Sequence, residues 1–124
     1  MKKILVIDDD AMVRLTLSRL LYRAGYDVVT AADGERGLTM LRAEQPSVVI
    51  TDMMMPERDG VETIIKIKQE WPQIKIVAIS GGARHGNRDI LLTARNMGAD
   101  DAIAKPFDAD ELLRSVLDML GAPA

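Results

Sequence analysis

Short apolar runs alternate along the chain with longer stretches in which apolar residues recur at every third or fourth position. Ile4–Ile7 is continuous and apolar, as a strand buried on both faces should be. Val13, Leu17, Leu20, Leu21 and Ala24 then fall at helical spacing, and Gly25 marks the stop. Val28–Ala31 reads as a second strand. Glu35–Glu44 reads as a helix that turns Leu38 and Leu41 inward and is stopped by Pro46, and Val48–Thr51 as a third strand. Asp59 has the chemistry of an N-cap for a helix with Val61, Ile64 and Ile65 on one face, closed by Trp71-Pro72. Ile74–Ile79 is the fourth predicted strand. Ile90, Ala94 and Met97, followed by Gly98, mark a fourth helix, and Ala102–Ala104 a faint fifth strand. Asp108 or Asp110 opens the last helix, on which Leu112, Leu113, Val116, Leu117 and Leu120 make an apolar stripe.

Strand–helix alternation of this kind predicts an α/β fold, a parallel sheet covered by helices on both faces. Neither an internal repeat nor an interdomain linker interrupts it, so residues 1–124 are expected to form one domain. Composition narrows the picture. Apolar residues make up 48% and charged residues 28%, an ordinary globular balance. Phe107, Trp71, Tyr22 and Tyr26 are the only aromatic residues, so the core is aliphatic and stacking on nucleic-acid bases is disfavoured. A net charge of -3 argues against direct nucleic-acid binding. There is no cysteine, hence no disulfide and no thiolate chemistry. Asp8-Asp9-Asp10 ends the first apolar run far too soon for a signal peptide, and no apolar stretch approaches the roughly 18 residues of a membrane span. A soluble, cytoplasmic protein is expected.

Candidate chemistry collects where open parallel sheets bind ligands, at the carboxyl ends of the strands. Asp8, Asp9 and Asp10 follow the first strand, Asp52 the third, Ser80 the fourth and Lys105 the fifth. Each has a plain structural reading: Asp10 as a helix cap, Asp52 or Ser80 as a turn residue, Lys105-Pro106 as a strand end. Taken together, however, these strand ends carry one consistent chemistry. Crowded carboxylates repel one another, and a hard divalent cation and the Lys105 ammonium relieve the crowding. Mg²⁺ fits because it takes oxygen ligands, commonly one or two carboxylates with phosphate oxygens, and Mn²⁺ is an alternative. Such a site favours transfer of a phosphoryl group to a carboxylate, and Asp52, alone on its strand, is the natural acceptor. The Gly-rich stretch Gly81–Gly86 matches neither nucleotide-binding pattern, and His85 has no second ligand beside it.

With KILVIDDD, ITDMMMPERDG, VAISGG and IAKPF in this order and spacing, the sequence resembles the receiver domain of two-component response regulators along essentially its whole length. The resemblance implies a doubly wound five-stranded sheet in the order 2-1-3-4-5 and phosphorylation on Asp52. It implies Mg²⁺ held by Asp9, Asp52 and the backbone carbonyl of Met54, with Asp8 assisting. Ser80 matches the hydroxyl that closes on the phosphoryl group, and Lys105 the family's lysine. A sensor histidine kinase or histidine phosphotransfer domain is the implied donor and docks around helix one, near Arg14. A downstream protein target is the implied receiver of the signal, through helix four, strand five and helix five. Two departures stand out. Ala102 occupies the place, three residues before the lysine, where the family usually carries Tyr or Phe, and the segment between Ser80 and Lys105 is longer than is common.

The leading expectation is therefore a phospho-acceptor switch, no enzyme in the ordinary sense although it catalyses its own phosphorylation and slow dephosphorylation. A phosphorylation-independent interaction module on the same fold is the alternative, supported by Ala102. A Mg²⁺-dependent phosphohydrolase ranks last, since no second acid stands ready as general acid. Met1 leads almost directly into the first strand, so a native N-terminus is expected, with either a single-domain regulator or an excised receiver.

Overall fold

The structure, a computed structural model, describes residues 2–53, 60–80, 92, 95–104 and 108–120, with the side chains of residues 60, 61 and 80 outside the description. Five parallel strands, β1 (Lys3–Ile7), β2 (Asp27–Ala31), β3 (Val48–Asp52), β4 (Lys75–Ser80) and β5 (Asp101–Ala104), form one sheet in the order β2-β1-β3-β4-β5. Helices α1 (Ala11–Arg23), α2 (Gly34–Glu44) and α3 (Gly60–Glu70) connect the first four strands, and a C-terminal helix (Ala109–Leu120) follows β5. Helical residues at Leu92 and Arg95–Met97 stand where the fourth helix is predicted.

Successive strand residues point to opposite faces, and both faces are covered. Ile4, Val6, Val48, Ile50, Val77, Ile79 and Ile103 pack with Leu17 and Leu21 of α1 and Leu112 and Val116 of the C-terminal helix. Leu5, Ile7, Val49, Ile76 and Ala78 pack on the other face with Leu38 and Leu41 of α2 and Ile64 and Ile67 of α3. Two-sided burial explains why β1 and β3 are apolar without alternation. The doubly wound sheet and its 2-1-3-4-5 order are thus as expected.

Element ends are set by local chemistry. Asp10 caps α1 by accepting from the Met12 amide at 2.9 Å, and Gly25 takes the positive φ of 103° expected of a helix stop. Asp33 caps α2 in the same way through the Arg36 amide. At the other end of α2, Gln45 rather than Pro46 makes the turn, in the left-handed conformation with φ 48°. Asp108, not Asp110, opens the C-terminal helix, for its carboxylate accepts from the Glu111 amide at 2.7 Å. Asp59, predicted to cap α3, lies outside the described residues.

Candidate metal and phosphoryl-acceptor site

Register decides which side chains meet. Ile7 pairs with Thr51 across the parallel β1–β3 ladder, so Asp8 and Asp52, the next residue on each chain, stand level on neighbouring strands. Strands lie about 4.8 Å apart, and carboxylates leaving adjacent strand ends on the same side have little room to separate. One carboxylate oxygen from each of Asp8, Asp9 and Asp52 indeed lies within 4.8 Å of the other two. Asp8 and Asp52 are only 1% and 5% exposed, whereas Asp9 is open to solvent.

The loop that carries Asp8 and Asp9 is held from several sides. The Asp8 amide donates to the Ala31 carbonyl at 3.1 Å, which ties the loop to the end of β2. An oxygen of the Asp8 carboxylate accepts from the Asp10 amide at 2.9 Å. From the first turn of α1, Arg14 reaches back and donates through Nη1 to the Asp8 carbonyl at 2.7 Å. Long helical side chains lean toward the helix N-terminus, so the position four residues after the Asp10 cap is well placed for this. Sequence reasoning assigned Arg14 only to a docking surface; its spacing from the cap was the available signal for this second contact.

Asp52 is fixed by the central strand. It pairs with Ile79 on β4, and the Met53 amide extends the ladder to the Ile79 carbonyl at 2.8 Å. Ser80 is one step further along β4, paired with Ala104 on β5. Its backbone is therefore at the same rim as the acidic cluster. The Ser80 side chain, Lys105 and Met54 lie outside the described residues. Ala102 pairs with Ala78 and packs, half-buried, against the α2–α3 side of the core.

The donor set is chemically suited to a small hard cation. Mg²⁺ holds oxygen ligands at about 2.0–2.1 Å, so two ligands on opposite sides of one ion are roughly 4.1 Å apart. Carboxylate oxygens within 4.8 Å of each other approach that span with minor side-chain adjustment. Hard oxygen donors without cysteine or histidine suit Mg²⁺ or Mn²⁺ rather than a soft metal. Asp9 and Asp52, one exposed and one buried, would supply carboxylate ligands to such an ion. No helix among the described residues is long and apolar enough to cross a membrane.

Comparison with known proteins finds relatives of this fold. Residues 4–117 match the family described as the response regulator receiver domain. A probable transcriptional regulator, ycf27 of Porphyridium aerugineum, is 40% identical over 119 residues, which cover 94% of this chain and 48% of that protein. The chain thus spans about half the length of these curated relatives. Sporulation initiation phosphotransferase F of Bacillus subtilis is 31% identical, with 93% of this chain and 90% of that protein aligned. Among solved structures, a response regulator receiver domain protein from Clostridium thermocellum superposes with a TM-score of 0.89 at 31% identity, covering 97% of this chain and 94% of that one.

Proposed function

The chain belongs to the response regulator receiver family and is a signalling domain, and from that premise we propose that Asp52 accepts a phosphoryl group and that Mg²⁺ is bound beside it by Asp9, Asp52 and the Met54 carbonyl, with Asp8 assisting. The single observation that carries the proposal is the convergence of the Asp8, Asp9 and Asp52 carboxylates within 4.8 Å. In the transfer, a carboxylate oxygen of Asp52 forms a bond to phosphorus as the phosphorus–nitrogen bond of a donor phosphohistidine breaks, and the donor ring, already protonated on its other nitrogen, leaves as neutral imidazole. Hydrolysis reverses the acceptor's part: water oxygen bonds to phosphorus, and Asp52 departs as carboxylate. The metal, when bound, neutralises charge on the phosphoryl oxygens. Burial keeps Asp52 out of bulk water, the Asp8 loop holds the neighbouring ligands in place, and Lys105 and Ser80 contribute an ammonium and a hydroxyl from the adjoining strand ends.

The donor is a sensor histidine kinase or histidine phosphotransfer domain, docked along α1. Met12, Leu15 and Tyr22 support this, because they lie on one side of α1 by helical spacing and are all exposed. The signal passes to a protein target through the face made by the helical residues Leu92 and Arg95–Met97, β5 and the C-terminal helix. One carboxylate already joins these elements: Asp101 on β5 accepts from Ser115 Oγ at 2.5 Å and from Arg95 Nη2 at 3.1 Å. A cytoplasmic location goes with this reading. The second reading, an interaction module that signals without phosphorylation, is favoured by Ala102, whose small side chain leaves the usual aromatic coupling without its ring.

Acetyl phosphate with Mg²⁺, followed by intact mass and by amide shifts, tests the first reading. Wild type should gain one phosphoryl group and Asp52→Asn none. Equal labelling of both proteins overturns the assignment of Asp52, and a partner bound equally by both, with or without phosphodonor, establishes the second reading.

A further inference from the structure

At the amino-terminal edge of the sheet, the pole opposite the acidic cluster, a cavity of about 540 Å³ opens between the end of α2, the turn from α3 to β4 and the end of the C-terminal helix. Small-molecule sites occupy roughly 300–1,000 Å³ and combine apolar walls with a few polar anchors. Here Ile74, Met119 and Leu120 supply apolar surface, Trp71 supplies a ring, and Arg42 and Lys75 supply two cations. No carboxylate is among the described lining residues.

The cations are available for a ligand. Arg42 is 3.8 Å from Glu70 and Lys75 is 3.9 Å from Asp100, both beyond direct hydrogen-bond distance, with side chains 57% and 50% exposed. Pairs of this kind are weakly held. The Arg42 guanidinium also lies 5.8 Å from the centre of the Trp71 ring, within cation–π range, so charge and ring form one joined platform. An uncharged apolar ligand would leave the cations unused, and a small inorganic anion would leave the ring and the apolar wall uncovered. A molecule with both parts satisfies the whole lining.

We propose that this cavity binds a planar aromatic anion, its ring against Trp71 and the apolar wall and its carboxylate or phosphate on Arg42 and Lys75. Such a ligand bridges α2, the α3–β4 turn and the C-terminal helix, and its binding is independent of phosphoryl transfer at Asp52.

Trp71 is the chain's one tryptophan, so a single indole N–H resonance reports on the cavity. The full chain is titrated with naphthoate, with naphthyl phosphate and with uncharged naphthol. At least one of the anions should shift the indole signal saturably, the tighter of the two identifying the head group, and naphthol should bind more weakly. Arg42→Gln combined with Lys75→Gln should weaken the anion by about tenfold or more, the effect of losing a charge-assisted hydrogen bond. Lys75→Met, which leaves the Arg42–Trp71 platform in place, should weaken it as well, at an unchanged thermal midpoint. Failure of both anions to give a saturable shift overturns the proposal. So does naphthol binding as tightly as the anions, or unchanged affinity in the folded Lys75→Met variant.

Discussion

Asp8 works through both its side chain and its main chain. Its carboxylate belongs to the acidic cluster while its carbonyl accepts the Arg14 guanidinium, so the residue that contributes charge is also the one by which the loop is clamped. Arg14 touches no reacting atom and is a positioning residue. Groups that orient metal ligands typically alter metal affinity by roughly 10–100-fold when removed. Arg14→Ala should therefore weaken Mg²⁺ binding about tenfold, measured by calorimetric titration, and leave the final extent of Asp52 phosphorylation at saturating Mg²⁺ unchanged. Arg14→Lys, which cannot reproduce the planar fork, should recover only part of the affinity. An Arg14→Ala protein with wild-type Mg²⁺ affinity would refute the clamp. The acids themselves were legible because charge at the end of an apolar strand is conspicuous. The clamp was not, because a guanidinium bonded to a backbone carbonyl leaves no complementary residue type in the sequence.

At the scale of the element, α2 and β1 approach closely at Gly37. A Cβ placed on Gly37 would lie 2.4 Å from Ile7 Cδ1 and 2.9 Å from Ile7 Cγ1, and Ile7 is itself only 1% exposed, with little space to yield. Overpacking of this kind costs about 1–3 kcal/mol. Gly37→Ala should lower the urea midpoint accordingly, and Gly37→Ala with Ile7→Val should recover part of the loss by removing the clashing methyl. A double variant no more stable than the single would place the strain elsewhere. The sequence revealed the helix but not this contact, since periodicity identifies the inward face without its distance from the sheet. Strand ends were legible to within a residue for a related reason. Lys3, Asp27 and Asp101 extend their strands by one polar residue each, because ladder pairing depends on backbone groups that every residue has. Asp108 and Asp110 were indistinguishable in sequence because both have capping chemistry; the side chain that reaches the amide three residues on is that of Asp108.

At the scale of the whole molecule, stability depends on pH through Lys3 and Tyr26 among the described residues, and the proposed metal site makes it depend on Mg²⁺ as well. A hydrogen bond to Glu44 raises the Lys3 ammonium above its ordinary value of 10.5, opposed by burial and aided by the charges of Glu44 and Asp27. Burial raises the Tyr26 phenol above 10.0. Each group has a higher value folded than unfolded, so its contribution is fully present below these ordinary values and is lost as pH rises through the folded ones. Unfolding midpoints should hold steady above neutrality and fall beyond about pH 10; Lys3→Met with Tyr26→Phe should flatten that fall, and an unchanged slope would reject the assignment. The acidic cluster acts in the opposite sense, for like charges at this spacing repel by on the order of 1–3 kcal/mol per pair at effective dielectric constants between protein surface and water. Under the proposed function this repulsion is set against the partners that Asp8 and Asp52 have in the fold, and the metal-free melting temperature measures which prevails. Removing one charge should relieve the repulsion: in chelator, Asp52→Asn should melt at a higher temperature than wild type. An ion that binds only the folded chain stabilises it by mass action, by about 2.7 kcal/mol at a hundredfold excess over the dissociation constant, and the proposed Mg²⁺ site predicts this gain. Wild type should therefore gain more from saturating Mg²⁺ than Asp52→Asn does, narrowing or reversing the difference seen in chelator. Equal gains by the two proteins would mean that the ion binds without Asp52, and a lower metal-free midpoint for Asp52→Asn would mean that its carboxylate serves the fold rather than straining it.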